Sequence, residues 1–361
     1  MLWDGIARRA FGLGGGPGGA GGTAKPMHAV VEPSSPPRPK LGLALGGGAA
    51  RGWSHIGVLQ VLTEAGIVPD VIAGSSIGAV AGGCYAAGKL AELEAFARSL
   101  TRRRVMSLLD FHLGGSGLIS GERVRRLLSA HLAETRIEAL PVDFVTVATE
   151  LGTGHEIWLT RGALVEALRA SYALPGIFDP VRLGGRWLMD GALVNPIPIT
   201  AARALGADVV VCVNLNGDLR VRGTVIQAHP AELDLPAAGE LLGGGPSQPG
   251  EEPRPAGEAR RWDLFGPVRE AAGRMRARVR RPARSGPGLA AVMVDAFNIT
   301  QDRIARSRLA GDPPDVMISP KLAQVGLFDF HRAAECIALG RLAAERALPD
   351  IEELARVTRM A

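Results

Sequence analysis

The chain has 361 residues, of which 47% are hydrophobic, so it is long enough to bury a sizeable core and too apolar to be largely disordered. Its formal net charge is a modest +5. Its three cysteines lie far apart, and neither they nor any Asp, Glu and His group has metal-ligand spacing, so we predict no metal and no cofactor. We expect each cysteine to be a small buried hydrophobic residue in a reducing compartment.

The N-terminal segment 1–38 is rich in Gly and Pro and predicts a mobile tail. It lacks the continuous apolar stretch and the small-residue cleavage site of a secretory signal. The uncharged stretch 71–88 is nearly long enough to span a bilayer, but its Gly and Ser content favours a buried strand-turn-helix. We therefore expect a cytoplasmic protein that binds peripherally, if at all, to the inner membrane face.

The first ordered residues alternate between strands and helices. An apolar strand over 41–45 enters the glycine loop Gly46–Gly52, and helical apolar spacing follows over 55–65. A second strand over 71–74 leads through a tight turn into a helix that ends near Ala87. This alternation predicts an α/β domain with a mainly parallel central sheet.

The later segments continue the pattern. Strands are predicted over 142–150, 155–159, 186–188, 209–215 and 316–319, and helices over 163–172 and from Phe330 onward, the last broken at Pro349. Segment 217–288 is rich in Pro, Gly and Arg and predicts an insertion that is loose in its first half and helical over 262–281. We divide the chain into a tail (1–38), a main domain (39–345) and a C-terminal helical tail (346–361).

Ser76 lies at the centre of the sequence Gly74-Ser75-Ser76-Ile77-Gly78. This G-x-S-x-G pattern between a strand and a helix is typical of a nucleophile elbow, in which small flanking residues let neighbouring chain pass close by. The alternative is a glycine-rich turn with a capping serine. Because the turn places the serine oxygen at the start of a helix, a developing negative charge is favoured there.

The loop Gly46–Gly52 can supply backbone N–H groups to an anion, because consecutive amides between a strand end and a helix start form an anion-binding nest. A dinucleotide-binding loop is the alternative. Against it, Ala49 occupies a glycine position of a G-x-G-x-x-G frame that ends at Gly52, and the second strand ends in the elbow rather than in an acidic residue.

An ester hydrolase also needs a base that deprotonates the serine. Two histidines after Ser76, His229 and His331, are candidates, but neither has a motif around it. Asp190 follows a short strand and precedes a glycine, which suits a residue that faces a site, although many Asp-Gly pairs only stabilise a turn.

Three groups of residues, taken in order, resemble the patatin-like phospholipase family: Gly46–Gly52 with Arg51, Gly74–Gly78 with Ser76, and Asp190-Gly191-Ala192. The segments 170–180 (ASYALPGIFDP) and Val194–Pro198 are also similar to connecting segments of that family. The resemblance covers residues 40–216 and returns near 289–345. It implies a three-layer α/β/α fold for the main domain, to which the tail and the insertion are additions.

The resemblance implies a Ser–Asp dyad without a catalytic histidine, with Ser76 as nucleophile and Asp190 as base. Backbone amides of Gly47, Gly48 and Ala49 would form the oxyanion hole. Ala49 departs from the family's usual glycine but keeps an amide donor. The supporting motif residues are Gly46, Arg51, Gly52, Gly74, Gly78, Gly191 and Ala192, and His55 is expected to be structural.

The implied function is hydrolysis of acyl esters, of the phospholipase A or lysophospholipase kind, and a polyester or thioester would suit the same dyad. A non-catalytic member of the fold that binds lipid or a protein partner is the alternative. Basic residues cluster at 102–104, at 123–126 and over 274–284, which predicts either a solvated face or a surface that attracts an anionic membrane. We expect no nucleic-acid partner, because no nucleic-acid motif accompanies these clusters.

Overall fold

The computed structural model describes residues 38–108, 110, 117, 119–217 and 289–360. Residues 1–37 of the predicted tail (1–38) lie outside the described residues. So do all but the first residue of the predicted insertion (217–288), including its predicted helix over 262–281. The described residues, all from Arg38 onward, form one compact unit.

Eight strands and nine α-helices are present among the described residues. The strands are β1 (Leu41–Leu45), β2 (Val71–Ser75), β3 (Asp143–Glu150), β4 (Glu156–Leu159), β5 (Val181–Leu183), β6 (Arg186–Asp190), β7 (Val209–Val213) and β8 (Val316–Ile318). The helices are α1 (Ser54–Glu64), α2 (Ile77–Ala86), α3 (Leu90–Arg98), α4 (Arg102–Leu108), α5 (Glu122–Leu132), α6 (Leu164–Tyr172), α7 (Ile199–Ala204), α8 (Leu289–Gly311) and α9 (Ala333–Met360). Short 3-10 helices span Ala49–Trp53, Ile137–Ala139, Gly191–Leu193 and Phe330–Arg332.

Hydrogen-bonded pairing joins the strands into one sheet through the sequence of neighbours β5-β6-β3-β2-β1-β7-β8, and β4 also pairs with β3. Strands β3, β2, β1, β7 and β8 are parallel, whereas β4, β5 and β6 join by antiparallel pairing. The predicted mainly parallel sheet is therefore confirmed, with an antiparallel extension on the side of β3.

Helices cover both faces of the sheet, because side chains of a buried strand alternate between two cores. Leu43 and Leu45 of β1 belong to a large core that includes residues of α1, α2 and α9. Ala44, between them, belongs to a second core that includes residues of α7 and α8. This arrangement is the predicted three-layer α/β/α fold.

Helix α1 crosses α9 at very short distance. A Cβ atom added to Gly57 would lie 2.1 Å from the Ile337 carbonyl oxygen, and one added to Gly340 would lie 2.0 Å from the Ser54 carbonyl oxygen. Only glycine fits at these two positions, so the helix that follows the glycine loop is fixed against the C-terminal helix.

Helix α9 continues through Pro349, whereas the sequence predicted a break there. Proline removes one backbone donor from the helix, but residues beyond it are held by packing, since Ile351 is completely buried in the larger core. One helix thus crosses the predicted boundary at 345. All three cysteines are buried and unpaired.

Candidate active site

Strand β3 brings two distant parts of the chain together. Its residues up to Val147 pair with β2, and Val147 lies opposite Ser75. The next residue, Ala148, lies opposite Asp190 of β6. Strand β4 pairs with β3 over Thr146–Thr149, so it occupies the side of β3 opposite to β2. Strand β6 therefore pairs with β3 on the same side as β2, just beyond the end of β2. The end of β2 and the end of β6 therefore meet.

Ser76 occupies the turn between β2 and α2 with φ 55° and ψ −125°, in the left-handed region that residues other than glycine rarely adopt. Glycine is required on both sides of it, because a side chain at Gly74 or Gly78 would clash with neighbouring backbone atoms. A Cβ atom on Gly74 would lie 2.4 Å from the Ala79 Cα atom, and one on Gly78 would lie 2.2 Å from the Leu45 carbonyl oxygen. The strained serine between two close approaches has the geometry of a nucleophile elbow.

The Ser76 hydroxyl donates a hydrogen bond to Asp190 Oδ2 at 2.7 Å. The second carboxylate oxygen, Oδ1, accepts the backbone N–H of Ala192 at 2.8 Å. Ser76 is 8% exposed and Asp190 is 2% exposed, so the pair lies almost entirely out of water. The two residues that the sequence analysis selected are thus in direct contact.

Burial raises the pKa of Asp190 from its usual 3.8 to about 6, although the hydrogen bonds from Ser76 and Ala192 act in the opposite direction. A carboxylate with a raised pKa is a stronger base than an exposed one. It is still mostly ionised at neutral pH, so it can accept a proton from the serine.

The backbone of Asp190 is fixed from two sides. Its N–H donates to the Ala173 carbonyl at 2.9 Å. Its carbonyl accepts the Thr149 hydroxyl at 2.8 Å. A Cβ atom on the following residue, Gly191, would lie 2.1 Å from the Val147 carbonyl oxygen, so glycine is required for the chain to leave β6 so close to β3.

The glycine loop lies beside this pair. A Cβ atom on Gly47 would lie 2.8 Å from the Ala192 Cβ atom and 3.5 Å from the Ser76 Cβ atom. The Gly47 N–H donates to the Pro196 carbonyl at 2.9 Å, so it is not free for a substrate, contrary to the sequence prediction. Within the described residues, the amides of Gly48 and Ala49 have no acceptor, and Ala49 has a positive φ of 48°.

Arg51 anchors the loop rather than facing the dyad. Its Nε donates to the Val325 carbonyl at 2.8 Å, and the side chain is buried. Burial lowers the pKa of its guanidinium. The neighbouring Ala50 N–H donates to the Leu327 carbonyl at 3.0 Å, so the loop is attached to the segment that precedes α9.

His55 supports the other end of the loop, as the sequence analysis expected of a structural residue. Its Nε2 lies 2.8 Å from the Gly46 carbonyl oxygen, and the ring is completely buried. Burial lowers the pKa of His55 to about 4, so the ring is neutral at neutral pH. Since a carbonyl can only accept, the single ring proton lies on Nε2.

Ser171 of α6 is a site residue that the sequence analysis did not single out. Its hydroxyl accepts the Ser76 N–H at 2.9 Å and donates to the Val147 carbonyl at 2.6 Å. It therefore links the elbow to β3. Ser171 lies within the segment 170–180, which the sequence analysis interprets as a connecting segment of the family.

None of the histidines within the described part of the chain hydrogen-bonds to Ser76. His331 accepts from Arg102 Nε at 3.3 Å, and His155 is largely exposed beside Glu150. His229, the other candidate base, lies outside the described residues.

Comparisons with known proteins agree with one another. A family model described as "Patatin-like phospholipase" matches residues 43–203. A relative from Mycobacterium tuberculosis, named an uncharacterized NTE family protein, is 35% identical over 347 residues, which is 91% of this chain and 96% of the relative. "Patatin-like phospholipase domain-containing protein 6" of Mus musculus is 31% identical over 56% of this chain and 15% of its own length.

Among solved structures, the crystal structure of VipD from Legionella pneumophila aligns with 87% of this chain and 67% of its own. The TM-score is 0.41 and the sequence identity is 13%. No helix in the described part of the chain combines the length and apolar character that a membrane crossing needs.

Proposed function

This chain belongs to the patatin-like phospholipase family, and from that membership we propose that it is a serine acyl-ester hydrolase that acts on lipids. In the proposal Ser76 is the nucleophile and Asp190 its base. The observation that supports it most is the buried 2.7 Å hydrogen bond from the Ser76 hydroxyl to Asp190 Oδ2.

Acylation begins when Ser76 Oγ attacks the ester carbonyl carbon and its proton moves to Asp190 Oδ2. The carbonyl π electrons move to oxygen, which becomes the oxyanion of a tetrahedral intermediate. When the intermediate collapses, the bond to the leaving alcohol breaks, and that oxygen takes the proton from Asp190. A water molecule then repeats the sequence on the acyl-serine, which releases the fatty acid and restores the Ser76 hydroxyl.

The oxyanion donors in the proposal are the amides of Gly48 and Ala49, because neither amide donates a hydrogen bond to another described residue. Gly47 has a steric role: its missing side chain leaves room beside Ser76 and Ala192. Loss of one oxyanion donor typically lowers turnover by roughly 10²–10³. A backbone donor cannot be removed by a simple substitution, so the dyad is the better target for a test.

The test is hydrolysis of a short-chain p-nitrophenyl ester by wild type, Ser76→Ala and Asp190→Asn. The proposal predicts that both variants lose nearly all activity while they keep the wild-type circular dichroism spectrum. Ser75→Ala is the matched control, since it removes the neighbouring buried hydroxyl, and it should stay active.

Activity that disappears in Ser76→Ala but persists in Asp190→Asn would contradict the assignment of the base. A wild type that hydrolyses neither this ester nor phospholipid vesicles would contradict the proposal and favour a lipid- or protein-binding member without catalysis.

A further inference from the structure

Helix α4 carries its charge on the outside of the molecule. None of its seven residues is fully buried. Val105 and Leu108 are half-buried and pack against the larger core. The other positions include the exposed Arg102, Arg103 and Arg104, and Met106, which is 58% exposed.

The start of α5 extends this basic surface. The Arg123 guanidinium donates to the Ser107 carbonyl and so connects the start of α5 to α4. Arg123 and Arg126 are both exposed. We call the following set the α4 surface: Arg102, Arg103, Arg104, Met106, Arg123, Arg126 and Phe328, the last of which is 44% exposed.

The five arginines of the α4 surface form no ion pair within 4.0 Å in the described part of the chain, although many other arginines do. Nearby carboxylates are already engaged. Glu122 pairs with Arg125, and Asp329 and Glu335 pair with Arg332. Asp110 accepts the Ser120 hydroxyl and backbone amides at the start of α5. Among the described residues, these arginines therefore have no carboxylate at salt-bridge distance, although Glu122 interacts with Arg126 at longer range.

The α4 surface and the glycine loop contact the same segment of the chain, residues 325–332. Phe328 directly follows Leu327, whose carbonyl accepts the Ala50 N–H of the glycine loop at 3.0 Å. Arg102 of α4 donates to His331 at 3.3 Å, in the same segment. The basic surface and the loop that carries the proposed oxyanion donors are thus attached to one stretch of chain, 325–332.

We propose that the α4 surface docks this protein onto bilayers that contain anionic phospholipids. Arginine forks bind lipid phosphates, and the field of an anionic leaflet attracts them further. Met106 and Phe328, both exposed, supply apolar contact with the interface. Arg103 and Met106 are three residues apart on α4 and so share one face. The proposal extends the proposed function, since docking here would bring the glycine loop close to lipid esters.

The test is co-sedimentation of the full chain with vesicles of phosphatidylglycerol and phosphatidylcholine, against vesicles of phosphatidylcholine alone. Each arginine near an anionic leaflet strengthens binding roughly five-fold. The triple variant Arg102→Gln, Arg103→Gln, Arg104→Gln should therefore bind anionic vesicles weaker by on the order of 100-fold. The matched control replaces Arg136, Arg161 and Arg356, three exposed arginines elsewhere, and should bind like wild type.

Apolar contact is tested separately by the double variant Met106→Ser, Phe328→Ser. At about 1 M salt, where charge attraction is screened over roughly 3 Å, wild type should retain more binding than this variant. Equal loss in both would overturn the apolar part of the proposal.

Three outcomes would overturn the docking proposal as a whole. Wild type could fail to prefer anionic vesicles, the two triple variants could lose binding equally, or the α4 triple could bind like wild type. Tighter binding of single-stranded DNA than of vesicles, lost in the α4 triple, would also overturn it in favour of a nucleic-acid surface. Hydrolysis of the soluble ester should be unchanged in both triple variants. A wild type that binds anionic vesicles but has no esterase activity would contradict the proposed function and leave the docking proposal intact.

Discussion

The raised pKa of Asp190 makes a prediction about stability that is independent of any substrate. A group whose pKa is higher in the folded protein than in the unfolded chain stabilises the fold fully below its unfolded pKa. That contribution is lost as the pH rises through the folded pKa. For Asp190 this stabilising contribution is lost as the pH rises from 3.8 to about 6. Above this window, folding must keep a buried, ionised carboxylate.

Asp190→Asn removes the free-energy cost of burying this charge, because the amide is uncharged at every pH and has nearly the shape of the carboxyl group. Each pKa unit corresponds to about 1.4 kcal/mol, so two units give an upper limit of about 3 kcal/mol of added stability. The gain in the free energy of unfolding should be near zero at pH 4 and reach its limit by about pH 8. The variant is thus expected to be more stable and catalytically inactive.

The assay is urea denaturation of wild type and Asp190→Asn, monitored by tryptophan fluorescence at several pH values between about 4 and 8. Ser76→Ala is the control, because it keeps the carboxyl group and removes a hydrogen bond that lowers the pKa of Asp190, so its stability should not rise with pH relative to wild type. A difference between Asp190→Asn and wild type that does not change with pH would refute the desolvation argument, as would a less stable Asp190→Asn at pH 8.

Three further predictions concern the residues around the dyad. Ester hydrolysis should rise through about pH 6, because Asp190 must be ionised to accept the serine proton, and a pH–rate profile already flat at pH 4 would contradict this. Ala49→Gly should raise the urea midpoint by the equivalent of about 1 kcal/mol with hydrolysis retained, since Ala49 has φ 48°, and a lower midpoint would contradict it. Ser171→Ala should cost about 2 kcal/mol of stability and slow hydrolysis at least ~10-fold, because the Ser76 amide loses its acceptor, and unchanged kcat would show that the elbow holds without it.

Local patterns were enough to predict the elbow and most of the strands. The alternation of apolar strands, glycine turns and helical spacing over 41–87 depends on neighbouring residues only, and the structure has the same elements with ends shifted by a residue or two. The glycines around Ser76 could be selected because their requirement follows from a tight strand-to-helix turn.

Contacts between distant segments could not be predicted in the same way. Asp190 was selected through the family resemblance, and its position depends on the register of β6 against β3. The engagement of the Gly47 amide depends on the path of the chain at Pro196, and the role of Ser171 on the packing of α6 behind the elbow. None of these partners can be identified from the residues next to them in sequence.

Helix ends and proline effects also depended on tertiary packing. Pro349 predicted a break, but α9 continues because burial of Ile351 in the core outweighs one lost hydrogen bond. Helix α4 gave no periodic apolar signal, since only Val105 and Leu108 of its residues pack against the core.

The most direct test of the central claim is mass spectrometry of the protein after reaction with a fluorophosphonate. Attack by the Ser76 oxygen on phosphorus would expel fluoride and leave a phosphonyl group on Ser76, with its proton passed to Asp190. The account predicts one modified peptide, which contains Ser76, in wild type, much slower modification in Asp190→Asn, and none in Ser76→Ala. Modification of a different serine, or modification of Asp190→Asn at the wild-type rate, would contradict the assignment of this dyad.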